Sequence, residues 1–260
     1  LSERYSTPVI VRPTTRIDHA SAFFDVQDET FARPIPEEGF VRDPSKWVIF
    51  PRRAYQAHGE INERLSRMAQ KFSSDESGRF NPVYTNGLKR MSTGIGSAPL
   101  KTWGDARLGI VAGGVSTAYA LEALRMVEAR AAAKGDRVPS YRFLQVGTPY
   151  PFPTEKASMF AVGLDRILVL EELDYVLEDE FARLAGRRKV AFDVCGKLTG
   201  DARDRGENDV DDIVARIERV LGLSFVDDPL RAADARVESM QLPVRPPVLC
   251  PGCPHRGSFY

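Results

Sequence analysis

The sequence predicts an α/β domain over residues 106–223, with three layers and a mainly parallel sheet between two sets of helices. Three observations predict it. Short apolar segments of strand length alternate with amphipathic stretches of helix length, which is the pattern of βαβ units. Those strand segments are continuous apolar runs, so both faces of the sheet are covered. Glycines stand where strands and helices have to end: Gly113 and Gly114, Gly135, Gly186 and Gly222.

In chain order, Pro8–Arg12 reads as a short strand running into Pro13-Thr-Thr-Arg-Ile-Asp-His19. Residues 21–51 carry Pro34, Pro36, Pro44 and Pro51 and read as an extended connector, with a strand at Trp47–Phe50. A helix follows from Arg53 to Phe72. Its apolar positions Ile61, Leu65, Met68 and Phe72 recur at spacings of four, three and four, one stripe at period 3.6. Gly59 weakens its first turns. Residues 73–104, rich in Ser, Gly, Asn and Pro, read as loop or linker.

The domain itself opens on a strand at Arg107–Ala112. Ser116 is placed to cap the next helix, whose stripe is Thr117, Ala120, Leu121, Leu124, Val127 and Ala131, with Gly135 at the left-handed C-terminal position. Tyr141–Val146 is the second strand and runs into Gly147-Thr-Pro-Tyr-Pro-Phe-Pro153. Arg166–Leu170 is the third, followed by a helix carrying Leu173, Val176, Leu177, Phe181 and Leu184, with Gly186 after it. Lys189–Val194 is the fourth. The last helix, Asp209 to Leu221, presents Val210, Ile213, Val214, Ile217 and Leu221. Arg231–Pro247 reads as a polar and then proline-rich tail, and no internal repeat is visible.

Composition bounds the function. The 260 residues hold 36 Lys and Arg against 36 Asp and Glu, so no net basic field exists to attract nucleic acid or an anionic membrane. No apolar run approaches the ~18 residues of a membrane span, and the first residues lack the pattern of a secretory signal. Three cysteines, an odd number without framework spacing, fit a reducing compartment. A cytoplasmic protein without nucleic-acid or membrane partners is expected.

Four constellations could carry chemistry. The turn at Gly113–Gly114 between strand and helix could bind phosphate, but the glycine spacing is not that of a dinucleotide fingerprint, and any tight βα turn favours glycine. Gly196-Lys197-Leu198 lacks the hydroxyl and the preceding glycine of a P-loop. Glu171–Glu172, at the carboxyl end of the third strand, could bind metal or move protons; equally, it could begin a helix and complement its dipole. Thr14-Thr15-Arg16 with His19 could recognise a carboxylate or phosphate, or could be ordinary surface. Lastly, Cys250-x-x-Cys253-x-His255 has metal-ligand spacing, and the partners left for it are Cys195, His19 and His58, none paired at zinc spacing. A thioredoxin-like pair would sit between a strand and a helix, which the motif lacks. Half of an iron–sulfur site fits it if further thiolates come from elsewhere, and an unliganded coincidence is the other reading.

Cys250-Pro-Gly-Cys-Pro-His-Arg-Gly-Ser-Phe-Tyr260 resembles the entry to the diphosphate-binding thiamine domain of indolepyruvate:ferredoxin oxidoreductase α subunits. Three other stretches are similar in the same order: Leu1-Ser-Glu-Arg-Tyr-Ser-Thr-Pro-Val-Ile-Val-Arg-Pro-Thr-Thr-Arg16, Gly39-Phe-Val-Arg-Asp-Pro-Ser-Lys-Trp-Val-Ile-Phe-Pro51 and Gly109-Ile-Val-Ala-Gly-Gly-Val-Ser116. Val169-Leu-Glu-Glu-Leu173 is like a further family stretch. The resemblance implies that residues 1–20 end a pyrimidine-binding thiamine domain and 21–105 form a connector with one helix. Residues 106–223 would be a transketolase C-terminal-like domain, and 224–260 a tail leading into the diphosphate-binding domain. It implies oxidative decarboxylation of aryl 2-oxoacids such as indolepyruvate to acyl-CoA, using thiamine diphosphate, Mg2+ and 4Fe-4S clusters in the whole subunit. The implied partners are a second (β) subunit, ferredoxin, coenzyme A and the 2-oxoacid. A cluster-ligand role is implied for Cys250 and Cys253 alone. These 260 residues by themselves are expected to be inactive and to hold no cofactor. The rival expectation is a self-contained binding domain using the Gly113–Gly114 turn for a nucleotide or phosphate.

Overall fold

Four apolar runs that are costly to leave in water organise the chain. The computed structural model describes residues 1–25, 38–74, 79–91, 105–188, 192–224, 229–241, 243, 252–253 and 257. In the first of two compact units, Leu1–Leu223, come the short helices α1 (Ser2–Tyr5), α2 (Thr15–Asp18) and α3 (Pro44–Trp47), and then a long helix, α4 (Pro51–Ser73). A hairpin of β1 (Val83–Thr85) and β2 (Lys89–Met91) follows. Then come β3 (Leu108–Gly113), α5 (Ser116–Lys134), β4 (Tyr141–Val146), α6 (Thr154–Ala161), β5 (Arg166–Leu170), α7 (Val176–Arg188), β6 (Asp193–Cys195) and α8 (Val210–Val220). The second unit, Ser224–Tyr260, contains α9 (Pro229–Glu238).

One six-stranded sheet runs in the order β2-β1-β4-β3-β5-β6. β4, β3, β5 and β6 are parallel, with Ile110 in register with Phe143 on one side and Leu168 on the other. β1 is antiparallel to β2 and β4. Val111, Leu144, Ile167 and Val169 join Phe160 of α6 and Phe181 of α7 in one buried cluster. The alternate residues Ile110 and Leu168 face the other way, toward the layer where α5 packs on α8. The three-layer α/β/α reading therefore holds. Among the described residues no helix is long and apolar enough to cross a membrane.

Several elements depart from expectation, each for a local reason. Pro8–Arg12 is not a strand in the structure. The strand expected at Trp47–Phe50 does not form: Trp47 ends a helical turn, because Asp43 accepts the Ser45 N–H at 2.9 Å and Pro44 takes the first helical position, and residues 48–50 belong to no strand. Residues 73–104, expected as loop, contribute the β1–β2 hairpin. Ser116 does not cap α5: it is already helical and buried, and Asn208 Nδ2 donates to its hydroxyl at 2.9 Å. Leu173 is left-handed (φ 60) before α7 rather than inside it, and α7 passes through Gly186. The fourth strand is Asp193–Cys195, while positions 189–191 lie outside the described residues. α6 and α9 were not anticipated. Gly135 ends α5 at φ 74, as the sequence indicates, and Asp209 caps α8 by accepting the Asp212 N–H at 2.7 Å.

Asn81, fully buried, clips the hairpin side of the sheet to the rest. Its Nδ2 donates to Phe72 O at 3.3 Å and Thr148 Oγ1 at 2.9 Å, and its Oδ1 accepts the Gly147 N–H at 3.0 Å. Gly147 has no room for a side chain, since a Cβ there would lie 2.4 Å from Phe80 O.

Candidate functional site

β3 leads through α5 to β4 on one side, and β4 leads through α6 back past β3 to β5 on the other. The order of the parallel strands thus reverses between β3 and β5, the place where open α/β sheets form ligand crevices beyond their carboxyl ends. A cleft of about 850 Å³ lies there, within the usual range for a small-molecule site. Its floor is the Gly113–Gly114 turn with Val146 and Leu177, one wall is Glu171–Asp174, and Arg12 to Thr15 form the other.

The candidate glycines and glutamates that reach this cleft each have a structural duty. A Cβ on Gly113 would sit 2.7 Å from Leu177 Cδ1, and Gly114 is left-handed at φ +59. Both glycines are therefore accounted for by packing and turn geometry. Glu171 is buried and accepts the Leu177 N–H at 2.9 Å and the Glu178 N–H at 3.0 Å, capping α7. Glu172 accepts the Asn208 N–H at 3.0 Å, which pins the loop between β6 and α8. Glu178, buried on α7, performs the same task for the Lys197 N–H at 2.7 Å and the Leu198 N–H at 3.2 Å. Sequence reading missed Glu178 and Asn208; the one signal available was that each stands in or just before the first turn of a helix.

Burial pushes the Glu171 carboxyl above the ordinary glutamate range, against the two N–H groups it accepts from and the pull of Lys197. The folded chain then holds this proton more tightly than the unfolded chain does. The contribution of Glu171 to stability is accordingly greatest below the ordinary glutamate range and falls as pH rises through the folded value. Glu171→Gln keeps one acceptor oxygen for α7 and removes the titration. Its unfolding free energy, measured by denaturant between about pH 4 and 8, should fall less with pH than that of the parent chain. Parallel curves would sink this assignment.

The electrostatics of the cleft disfavour anions. Glu171, Glu172, Asp174 and Glu207 line it against the single guanidinium of Arg12 among the described lining groups. Thr14 and Thr15 also line it, and Thr14 Oγ1 is a buried atom with no hydrogen-bond partner among the described residues. His19 is exposed and does not reach the cleft, and the side chain of Arg16 is outside the described residues.

Of the cysteine motif, Cys253 is described and half-buried, in the second unit; Cys250 and His255 lie outside the described residues. Cys195 is half-buried in β6, and burial, with Asp201 adding, pushes its thiol up to about 11. No group of three or more His, Cys, Asp or Glu placed to hold a metal occurs among the described residues.

No protein-family model matches the chain. Its sequence is similar over its whole length to the indolepyruvate oxidoreductase subunit IorA of Methanothermobacter thermautotrophicus, at 32% identity over 261 residues. The IorA subunits of Thermococcus kodakarensis and Archaeoglobus fulgidus are 30% identical over 274 residues and 28% over 266. These matches bear out the resemblance read from the motifs. In each case 100% of this chain is covered but only 36% of the relative, so the chain spans about a third of the length of the curated relatives it matches. Among solved structures, one likeness is to a split-gene transketolase, an inactive β4 tetramer, at 24% identity and TM-score 0.35, covering 46% of this chain and 39% of that one. Another is to the 2-oxoglutarate:ferredoxin oxidoreductase from Magnetococcus marinus, at 15% identity and TM-score 0.35, covering 66% of this chain and 24% of that one.

Proposed function

We propose that this chain is a segment of the α subunit of a thiamine-diphosphate-dependent oxidoreductase that decarboxylates aryl 2-oxoacids such as indolepyruvate. Residues 106–223 serve it as a structural domain. The observation that carries the reading is the end-to-end similarity to IorA subunits, at up to 32% identity. The ends of the chain take their meaning from the same reading. Residues 1–20 close a pyrimidine-binding thiamine domain, 21–105 connect, and 224–260 lead into a diphosphate-binding one. The second subunit, ferredoxin and coenzyme A are partners of the whole enzyme.

The cleft supports a structural role for the domain. A diphosphate or a 2-oxoacid carboxylate placed there would face four carboxylates and one guanidinium. Thiamine diphosphate therefore does not fit the described residues, and no step of its chemistry is assigned to them. The same charges disfavour the rival reading of a phosphate or nucleotide site at Gly113–Gly114. Thermal shift with ATP, NAD, FMN or CoA should show none of the ~2.7 kcal/mol stabilisation that a ligand at 100 times its Kd confers.

The thiolates of Cys250 and Cys253 suit iron, but they are half of the four that a 4Fe-4S cluster takes. Such a cluster would pass single electrons toward ferredoxin, and the other thiolates would come from outside these residues. Anaerobic iron–sulfur reconstitution tests this. The 260-residue chain should form no stoichiometric four-iron chromophore. A stoichiometric one that is abolished by Cys250→Ser would show the site to be complete here and the reading wrong.

A further inference from the structure

The long helix α4 is only partly used by its own domain. Met68, Phe72 and Ser73, in its last two turns, are buried where it meets α6; none of the residues from Pro51 to Arg67 is. Yet the apolar stripe continues through those earlier turns, with Ile61 44% exposed and Leu65 half-buried. A helix of this kind draws most of its stability from packing its stripe, and here its Ile61 and Leu65 portion is left partly in water. The chain ahead of it is more exposed still: Phe23 is 108% exposed, and Phe24, Phe40 and Phe50 are at least 70%. Within the first turns of α4, Tyr55 is 84% exposed.

Five aromatic side chains that bury roughly 150–250 Å² each when covered amount to about 1,000 Å². One side of a stable protein interface needs ~800 Å². Scattered exposed apolar residues need no explanation, but five exposed aromatic side chains within one arm of a chain are enough to form such a side once brought together.

We infer that this arm, residues 23–25 and 38–50 with the first four turns of α4, is a docking surface for another folded domain of the same, longer polypeptide. The inference rests on the function proposed above. The occupant is chosen over a second copy because roughly two thirds of each IorA relative lies outside the stretch that this chain matches. A domain within that length would meet the arm on the same molecule, at high effective concentration. The arm carries charges of both signs, among them Arg42, Asp43, Lys46, Arg52 and Glu60, so shape and apolar area select the partner rather than net charge.

Hydroxyl-radical footprinting of the complete gene product, read by mass spectrometry, tests this. Tyr150, 76% exposed on the sheet unit, is the reference. Corrected for intrinsic reactivity, Phe23, Phe24, Phe50 and Tyr55 should be modified about fivefold more slowly than Tyr150, as expected for side chains moved into an interface core. In a longer product, labelling at the rate of Tyr150 overturns this inference and leaves the proposed function standing. A gene product that ends at Tyr260 overturns both. Protection that appears in the 260-residue chain alone, and rises with its concentration, overturns the choice of occupant in favour of a second copy.

Discussion

Phe181→Ala should lower the unfolding free energy by about 3–5 kcal/mol, the range for truncating a fully buried phenylalanine. Phe181 is wholly buried on α7 and meets Phe152 edge-on at 5.8 Å and Phe160 at 6.3 Å. Removing the ring forfeits its own transfer from water. It also leaves two aromatic edges facing a void that the sheet behind, with Val111, Leu144 and Val169, is too closely packed to fill. A domain of this size has only about 5–15 kcal/mol to lose, so the variant should be near unfolding at moderate temperature. Urea titration reads the difference. A loss under ~1 kcal/mol would mean that α7 does not sit on this face.

Asn81→Ala should cost about 2–4 kcal/mol, because one small side chain ties two other segments together. It donates to Phe72 O at the end of α4 and accepts the N–H of Gly147 beyond β4. It also donates to the Thr148 hydroxyl at 2.9 Å. With alanine, Phe72 O and the Thr148 hydroxyl stay buried and lose this partner, a larger penalty than the net worth of the bonds themselves, while the Gly147 N–H keeps Phe80 O at 3.0 Å. Asn81→Asp should be no rescue: it keeps an acceptor for Gly147 but loses the donor and buries a charge. If Asn81→Asp proves as stable as the parent chain, the clip is not as described.

Much of the sheet was legible because a parallel strand covered on both faces is apolar at most positions. Tyr141–Val146 and Arg166–Leu170 fall where their composition puts them, and α8 is marked by Asp209 and its stripe. The hairpin was not legible. Val83-Tyr-Thr85 and Lys89-Arg-Met91 are three residues each, too short for any period, and β1 pairs with β4 more than fifty positions away. α6 was hidden by Lys156, whose charge breaks the apolar pattern. In the fold its stem is buried and its Nζ donates to Asn81 O at 3.1 Å, which only the tertiary structure supplies. At the cleft, the helix-start reading of Glu171–Glu172 was available from sequence. The loop contacts of Glu172 and Glu178 were not, because they span nineteen to thirty-six positions.

The hairpin that reads as linker acts as a guard against self-assembly. β4 is paired on both edges, by β3 and by β1, and five of its six residues are buried. Without residues 79–91, one edge of β4 would present a flat apolar ladder of unsatisfied N–H and C=O groups, a template for strands of other molecules. The hairpin replaces that edge with β2, three residues long and carrying Lys89 and Arg90 exposed to water. A gene fragment cut at residue 105, where the first strand of the parallel sheet is about to start, would keep the parallel core and lose its gatekeeper. The aggregation-safe unit begins upstream of the hairpin.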